Sequence, residues 1–586
     1  MLARLRSIPP SLALAAVPLL VLGVQGWARR WTSDDGFIYL RVVENLVAGD
    51  GPVLNVGERV EAYTSPLWLA LVACVSELLG FVDREWVAVG LGIAASLAGL
   101  ALAMRGARLL WAASGRAGLA LPLGALAVAA LPPYWDFATS GLETGVSVGW
   151  LGAAFWALVR ALPPFELTRR RLVVAALVLG IGPLVRPDLA VFAGAFLLVL
   201  LIAHRPASWR TRLAIVGVAA ALPLAYEVFR LGYFASLVPS PAIAKEATYG
   251  FWDHGWPYLE DFVTPYLLWL PVAALLAYAV AALRRGAPRP VVLAAAAPVV
   301  AGLVHALYVV RVGGDFMHAR LLLPSLFGIL LPVAVIVPSR RAAAVLAVAV
   351  VPWAVLCAAT LRPDYAGTQR TNGDISDERG FYADRTGTPN PVTIGDYAPN
   401  ATSIDGQNAR LASERGRVLI FDNPHSGLGD PKLGRMPLRA DVELPVVTHT
   451  EILGQFSYAA GRRVWVVDRL GLGDAIAARI IGPRQRLPNG ELVTTRRIGH
   501  EKLLRIEWVV ARFAPRSYDR RLPPRVLPGV RAARAALRCG DLRRLMVAVA
   551  APLTFDRFVS NIGFGLTHRG FRLHNDPVIA ERALCR

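Results

Sequence analysis

Apolar runs of roughly bilayer-crossing length dominate the chain up to about residue 361. They can be drawn at about 10–28, 86–104, 118–134, 141–160, 171–185, 187–203, 212–229, 264–283, 290–310, 319–337 and 342–361. The connections between them alternate in sign. One series holds Arg4, Arg6, Arg105, Arg108, Arg116, Arg160, Arg169, Arg170, Arg171, Arg205, Arg210, Arg212, Arg284, Arg285, Arg289, Arg340 and Arg341, with Glu166 as its acid. The other holds Asp34, Asp35, Glu44, Asp50, Glu58, Glu61, Asp83, Glu85, Asp136, Glu143, Asp188, Glu246, Asp253, Glu260, Asp261 and Asp315. Because arginine-rich connections stay in the cytoplasm, about eleven spans with an inside N-terminus leave everything beyond about residue 361 outside.

This pattern disposes of the net charge of +20 as a sign of nucleic-acid binding, since the excess arginine is topological. The N-terminus has a basic flank and an apolar run without a small-residue cleavage site, which reads as a retained anchor. The apolar stretch from Thr64 to Gly80 is short and contains Glu77. Counting it as a crossing would place Arg105, Arg108 and Arg116 outside, so it reads as a juxtamembrane or re-entrant helix. Residues 29–85 are then one long external loop with two surface helices, and 230–263 a second.

Directly after the first span comes Trp31-Thr32-Ser33-Asp34-Asp35-Gly36-Phe37-Ile38-Tyr39-Leu40-Arg41, followed by Val42-Val43-Glu44-Asn45. Ser33 suits the cap position ahead of a helix. A step of about 100° per residue puts Asp34, Arg41, Glu44 and Asn45 on one stripe, with apolar residues around the rest. That is the layout of a helix lying in the membrane interface with its polar edge up. Two acids in a first turn also simply oppose the helix dipole, so the pattern alone leaves their role open. Two further external turns carry ionisable groups at membrane depth, a costly and usually functional placement. They are Gly182-Pro183-Leu184-Val185-Arg186-Pro187-Asp188 and Arg311-Val312-Gly313-Gly314-Asp315-Phe316-Met317-His318-Ala319-Arg320. In the second external loop, Trp252 and Trp256 suit an interfacial aromatic belt or sugar stacking.

From about 362 the composition becomes that of a soluble domain. Short β-like runs at 417–421, 442–447 and 462–467, with a helix expected from Asp474 to Ile481, predict a mixed α/β fold. Gly471-Leu472-Gly473-Asp474 is not a dinucleotide fingerprint. Pro515 to Arg544 is Arg- and Pro-rich, which suits contact with anionic lipid or polysaccharide phosphate, or a solvated surface. Cys539 and Cys585 can pair if this tail lies in an oxidising compartment. There is no Cys/His metal spacing, Walker loop, HExxH, G-x-S-x-G or internal repeat.

External carboxylates with Arg and His nearby suit transfer from a lipid-linked phosphate donor to a hydroxylated acceptor. Arginine binds phosphate through a fork of donors, and a carboxylate takes the acceptor proton or stabilises an oxocarbenium-like centre. An acidic pair opening the first external loop resembles the GT-C class of polyprenyl-phosphate-dependent glycosyltransferases. Ser33-Asp34-Asp35-Gly36-Phe37-Ile38-Tyr39, the stretch Gly57 to Trp68, Thr139-Ser140-Gly141-Leu142-Glu143-Thr144, Gly313 to Arg320, Val466 to Leu472 and Gly499-His500-Glu501-Lys502 resemble the mycobacterial terminal β-(1→2)-arabinofuranosyltransferases. The resemblance implies a GT-C-like polytopic α-helical membrane protein, with a catalytic region over 1–361 and an extracytoplasmic α/β domain over 362–586. It also implies decaprenyl-phosphoryl-arabinofuranose as donor, terminal positions of arabinogalactan and lipoarabinomannan arabinan as acceptor, and net retention at the outer face of the plasma membrane.

On this reading Asp34 is the leading catalytic carboxylate and Asp35 the second. Arg320, His318 and Arg311 hold the donor phosphate, with Arg186 behind them. Arg41, Glu44, Glu61, Tyr63, Thr64, Ser65, Glu143, Trp252 and Asp315 border the sugar and acceptor path. Retention needs two displacements or front-face attack, and the sequence leaves both open. A divalent cation at the acids is also open. A polyprenyl-phosphate-lipid transporter, or a non-catalytic envelope assembly factor, is the alternative; no paired repeat with broken helices is visible in the sequence to favour the transporter.

Overall fold

The computed structural model describes residues 10–165, 168–204, 208–246, 250–365, 375–425, 430, 432–482, 484–486, 492–494 and 502–586. Arg4, Arg6, Glu166, Arg205 and the Gly499-His500-Glu501 part of a quoted motif lie outside the described residues. The chain is mostly helical with a small sheet near its C-terminal end, and it divides into two compact units that interleave in sequence. One comprises Met1–Trp31, Ala88–Leu224 and Phe251–Phe381, the other Thr32–Val87, Ala225–Gly250 and Tyr382–Arg586. The division near 381 falls close to the expected change in composition. The stretches Thr32–Val87 and Ala225–Gly250, most of one expected external loop and part of the other, however, belong to the same unit as the tail.

Apolar helices follow the expected runs, among them Pro10–Ala28, Thr144–Arg160, Trp269–Leu283, Arg289–Arg311 and Arg340–Ala359 in the helical unit, with Arg84–Ala113 joining it from Ala88 and Trp209–Phe234 leaving it after Leu224. Four of these are long and apolar enough to cross a membrane by themselves. The run drawn at 118–134 is broken into Leu123–Ala129 and Pro132–Phe137. That at 319–337 is broken into Arg320–Leu322, Leu323–Leu330 and Leu331–Val333. Pro122, Pro132, Pro324 and Pro332 stand at these breaks, where a missing N–H and a fixed φ interrupt the helix. The two segments satisfy each other's freed backbone, as Leu121 N donates to Ile336 O and Ile336 N to Leu121 O, both at 2.9 Å. Non-helical backbone buried in protein in this way is tolerated at membrane depth. The apolar pattern alone does not announce this pairing. Elsewhere small residues bring helices together: a Cβ on Gly152 of Thr144–Arg160 would lie 2.0 Å from Gly99 O of Arg84–Ala113.

The second unit is built on a four-stranded sheet of order β2-β1-β3-β4, with β1 Val418–Ile420, β2 Arg435–Met436, β3 Val446–Thr450 and β4 Val464–Asp468. β1, β3 and β4 are parallel and β2 is antiparallel to β1. The crossover helix Leu453–Ala460 links β3 to β4 and packs against Ala401–Arg415. Leu419, Phe421, Val447 and Val467 of the sheet join Trp508, Val509, Val530 and Leu545 of later helices in one apolar core.

Two expectations for the tail need correction. The middle strand runs from Val446, because Pro445 just before it has no N–H for a ladder. The helix expected over 474–481 is only a 3-10 turn, Ala477–Arg479. Asp474 is committed there, with one carboxylate oxygen capping Ile476 and Ala477 N–H and the other bonded to Arg512. The Arg- and Pro-rich stretch keeps Arg516, Arg520, Arg521, Arg525, Arg531, Arg538, Arg543 and Arg544 exposed, around a packed helix, Leu527–Ala536, whose Arg534 is buried against Asp519 at 2.6 Å.

Both expected helices of the first loop form, Asp34–Val47 and Pro66–Leu78, capped by Ser33 and Ser65 side chains. Asp34–Val47 packs directly on Leu453–Ala460. The approach is close enough that a Cβ on Gly454 would lie 1.7 Å from Asp34 O. Gly454→Ala therefore displaces backbone, and it should cost about 1–3 kcal/mol, read as a lowered melting temperature. Gly563→Ala, at a helical position with open space around it, should be neutral or stabilising by about 0.5–1 kcal/mol.

Candidate active site

In the sheet-containing unit, Asp34 accepts from Gly454 N through Oδ2 at 3.0 Å and from Gln455 N through Oδ1 at 2.8 Å. These are first-turn N–H groups of Leu453–Ala460, donors without a partner inside their own helix, at its positive end. Burial, with Asp35 and Asp468 adding repulsion, pushes the Asp34 carboxyl up to about 7 against the pull of those two donors. Asp35 stands next to it in the first turn, partly exposed. Asp468, at the end of β4, is buried and pushed up to about 6, mainly by burial, while it holds Leu470 N and Gly473 N at 2.9 and 2.7 Å.

The polar edge of Asp34–Val47 does not face water, contrary to the expectation of an interfacial helix with its edge up. Arg41 and Asn45 are fully buried. Arg41 donates to Leu54 O at 3.3 Å and Val464 O at 3.2 Å, and lies 3.5 Å from Glu44. Asn45 donates to Val53 O and Leu54 O, each at 2.9 Å. The stripe is polar because it satisfies backbone carbonyls of the loop and of β4. That makes Arg41 part of the frame and not of a sugar path.

Glu61 and Tyr63 belong to one buried network. Glu61 takes Arg230 Nε at 2.6 Å and the Tyr226 hydroxyl at 2.7 Å, and Tyr226 also reaches the Tyr63 hydroxyl at 3.2 Å. Thr64 and Ser65 frame the next helix. The Tyr39 hydroxyl lies 3.3 Å from Thr64 Oγ1 and accepts Ser65 N at 3.1 Å, and Ser65 Oγ accepts Trp68 N at 3.2 Å.

In the helical unit, the structure gathers Glu143, Arg186, Asp315, His318 and Arg320. Glu143 precedes Thr144–Arg160 and lies between two guanidinium groups, 3.5 Å from Arg186 Nη1 and 3.6 Å from Arg320 Nη2. Arg186 is gripped by Asp188 through a bidentate pair at 3.0 and 2.7 Å. Arg320 meets Asp315 at 3.3 Å and also donates to Met317 Sδ at 3.3 Å. His318 is oriented by Asp261 at 2.5 Å and the Tyr266 hydroxyl at 3.1 Å. The turn before Arg320 needs unusual backbone: Gly313, Gly314 and Ala319 have φ of 87°, 72° and 61°. Arg311 ends its helix, partly exposed, with its carbonyl accepting Phe251 N. Trp252 is 40% exposed and stacks on Trp256, as an interfacial belt residue would.

Sequence reasoning passed over His305, buried in the apolar helix Arg289–Arg311. It bridges Asp188 at 2.9 Å and Ser325 at 2.7 Å. An ionisable side chain inside an apolar run was the available signal. Among the described residues no group of three or more His, Cys, Asp or Glu side chains converges as a metal set.

Residues 432–582 match the AftB family C-terminal domain. The chain is 35% identical, over 97% of its length and 96% of the relative, to the terminal beta-(1->2)-arabinofuranosyltransferase of Mycobacterium tuberculosis. It is 36% identical to the protein of that name from Corynebacterium glutamicum, over 92% of this chain and 83% of the relative. The crystal structure of ArnT from Cupriavidus metallidurans bound to undecaprenyl phosphate aligns over 87% of this chain and 80% of that one, with 17% identity and a TM-score of 0.43.

The Asp34 carboxyl carries a testable sign. Its pKa is raised from 3.8 to about 7, so the folded protein binds this proton more tightly than the unfolded chain. That contribution to stability is complete below about pH 4 and is lost as pH rises through about 7. Melting temperatures across this range should therefore fall less with pH in Asp34→Asn than in the wild type. Parallel profiles would assign the proton elsewhere.

Proposed function

The chain belongs to the terminal β-(1→2)-arabinofuranosyltransferases, and we propose that it transfers arabinofuranose from decaprenyl-phosphoryl-arabinofuranose to terminal positions of cell-wall arabinan. The product is a β-(1→2) linkage formed with net retention, on arabinogalactan and lipoarabinomannan, at the outer face of the plasma membrane. The observation that carries this reading is identity of 35–36% with two proteins of that name over more than nine-tenths of this chain. The alternation of charge along the apolar half supports the outer-face assignment. So does the bond between Cys539 and Cys585, since disulfides persist in oxidising compartments.

In the reaction the bond from the anomeric carbon to the phosphate oxygen breaks, and its electron pair leaves with the polyprenyl phosphate. The acceptor 2-hydroxyl oxygen bonds to that carbon, and its proton passes to a carboxylate. We assign the proton-accepting or nucleophilic carboxylate to Asp35. Asp34 is a positioning residue, because both of its oxygens are taken by Gly454 and Gln455 N–H. Arg320 is the leading phosphate ligand, since it ends the Gly313 to Arg320 turn that carries the family resemblance and stands beside Glu143 and Asp315, whereas Arg186 is bidentate with Asp188. His318, fixed by Asp261 and Tyr266, orients the same turn. A cavity of about 500 Å³ in the sheet-containing unit, lined by Glu77, Asp83, Glu85, Thr393 and Tyr458 among others, offers the carboxylates, hydroxyls and ring that hold a glycan acceptor.

Transfer from synthetic donor to an arabinan acceptor by purified protein tests the assignment. Asp35→Asn should lose about 10²-fold or more in kcat with donor affinity retained. Turnover near wild type would remove Asp35 from the chemistry. A donor fluorinated at C2 should trap a sugar ester on Asp35 if two displacements operate, and leave the protein unmodified if attack is front-face. Arg320→Ala should raise the KM for donor by about tenfold or more, a loss of about 1.4 kcal/mol or more, and raise that for acceptor far less. Equal losses would make Arg320 part of the scaffold. Proteoliposomes that move the donor without forming product would favour the transporter.

A further inference from the structure

The helix Phe555–Thr567, in the sheet-containing unit, leaves an apolar stripe uncovered. At about 100° per residue, Phe555, Val559, Ile562 and Leu566 fall within about 60° of arc. Phe555, Val559 and Leu566 are 81%, 51% and 51% exposed. A helix of a water-facing domain turns such residues inward. The inward side here is made by Phe558, Asn561 and Gly565. Asn561 donates to Gly232 O at 2.9 Å, the Phe558 ring lies 2.2 Å from where a Cβ on Gly232 would stand, and a Cβ on Gly565 would lie 2.8 Å from Leu231.

Those partners identify what covers the outer side. Leu231 and Gly232 end Trp209–Phe234, a helix of 26 residues that is apolar and long enough to cross a membrane. Glu227 and Arg230 in its final turns mark the level at which it leaves hydrocarbon, while Val228 beside them is 51% exposed. A helix seated on that end lies at headgroup depth. The charges nearby are mostly positive. Arg557 lies on the helix, Arg569 just past it, and Arg543 and Arg544 on the neighbouring Gly540–Ala550. Of the acids, Asp556 is exposed, and Asp541 is paired with Arg544 at 3.5 Å and His568 at 3.3 Å.

We propose that Phe555–Thr567 is a lipid-interface helix, its Phe555, Val559 and Leu566 face set among acyl chains and its flanking arginines on anionic headgroups. The occupant is the bilayer surface, and the inference is independent of which sugar the protein transfers.

The test uses the full chain in nanodiscs, with Cys74→Ser and Cys357→Ser and the Cys539–Cys585 bond retained. An environment-sensitive fluorophore is placed on Val559→Cys, Leu566→Cys or, as a solvent-facing control, Ser560→Cys. The first two should emit to the blue of the third and be quenched by shallow nitroxide-labelled lipid. Ser560→Cys should instead be quenched by aqueous iodide. Phosphatidylglycerol in a phosphatidylcholine disc should strengthen the lipid quenching, and Arg557→Gln with Arg569→Gln should remove that gain. Iodide quenching at 559 and 566 equal to that at 560 would overturn the proposal. So would a blue shift present only when two copies share a disc, which would make the face a self-association surface. Identical quenching with and without phosphatidylglycerol would overturn the anionic part.

Discussion

A carboxylate at residue 34 closes the N-terminal end of a helix that starts at residue 453. Helix N-termini present N–H groups that their own helix cannot satisfy, and here the acceptor comes from a segment several hundred residues earlier. The rest of the sheet-containing unit is arranged to allow that meeting. Ser33 caps the helix carrying Asp34. Gly454 has no side chain where one would strike Asp34 O. Arg41, Asn45 and Asn55 use their donors on backbone carbonyls of the loop and of β4. Arg512, reaching both Glu58 and Asp474, repeats the theme with a buried charge between loop and tail. The 29–85 loop is therefore, from Thr32 on, a structural member of the C-terminal unit, and the orientation of Asp35 is inherited from a helix that this unit holds fixed.

The helical unit solves a different electrostatic problem. Two arginines and several carboxylates lie out of water there, and an unpaired charge would cost several kcal/mol. Each of the two arginines is compensated. Arg186 is locked by Asp188, which is itself held by His305 and, through it, by Ser325. Arg320 pairs with Asp315 at 3.3 Å and with Glu143 at 3.6 Å. Glu143 thus stands between the two guanidinium groups, and the bidentate Asp188 pair fixes the geometry of the first.

Much of this was legible in the chain. Apolar run length identified the helical half, Ser33 announced the first loop helix because a cap is a local signal, and the short apolar stretch from Thr64 announced the second. Glu143, Arg186, Asp315, His318 and Arg320 were visible as charges in apolar surroundings. The partner of the polar stripe was not. Periodicity reports which residues share a face and says nothing of what meets it, so buried Arg41 and Asn45 look the same as solvated ones. The breaks at 118–134 and 319–337 were hidden for a related reason. Proline marks a possible interruption, but only the pairing of Leu121 with Ile336 makes it affordable in hydrocarbon. His305 was missed because one polar residue barely changes the hydropathy of a long helix.

The covering of β4 has a further consequence. Its outward backbone groups are occupied, at Val464 by Arg41, and at Val466 by Asn55, which both donates to the carbonyl and accepts from the amide at 2.9 Å. Two side chains thus do what another strand would do, and they end the sheet. A fragment excised from about residue 382 onward would lose both and present a bare parallel edge, the kind of surface through which chains stack into aggregates. Insolubility of such a fragment would reflect a missing border, not an inability of its own core to form.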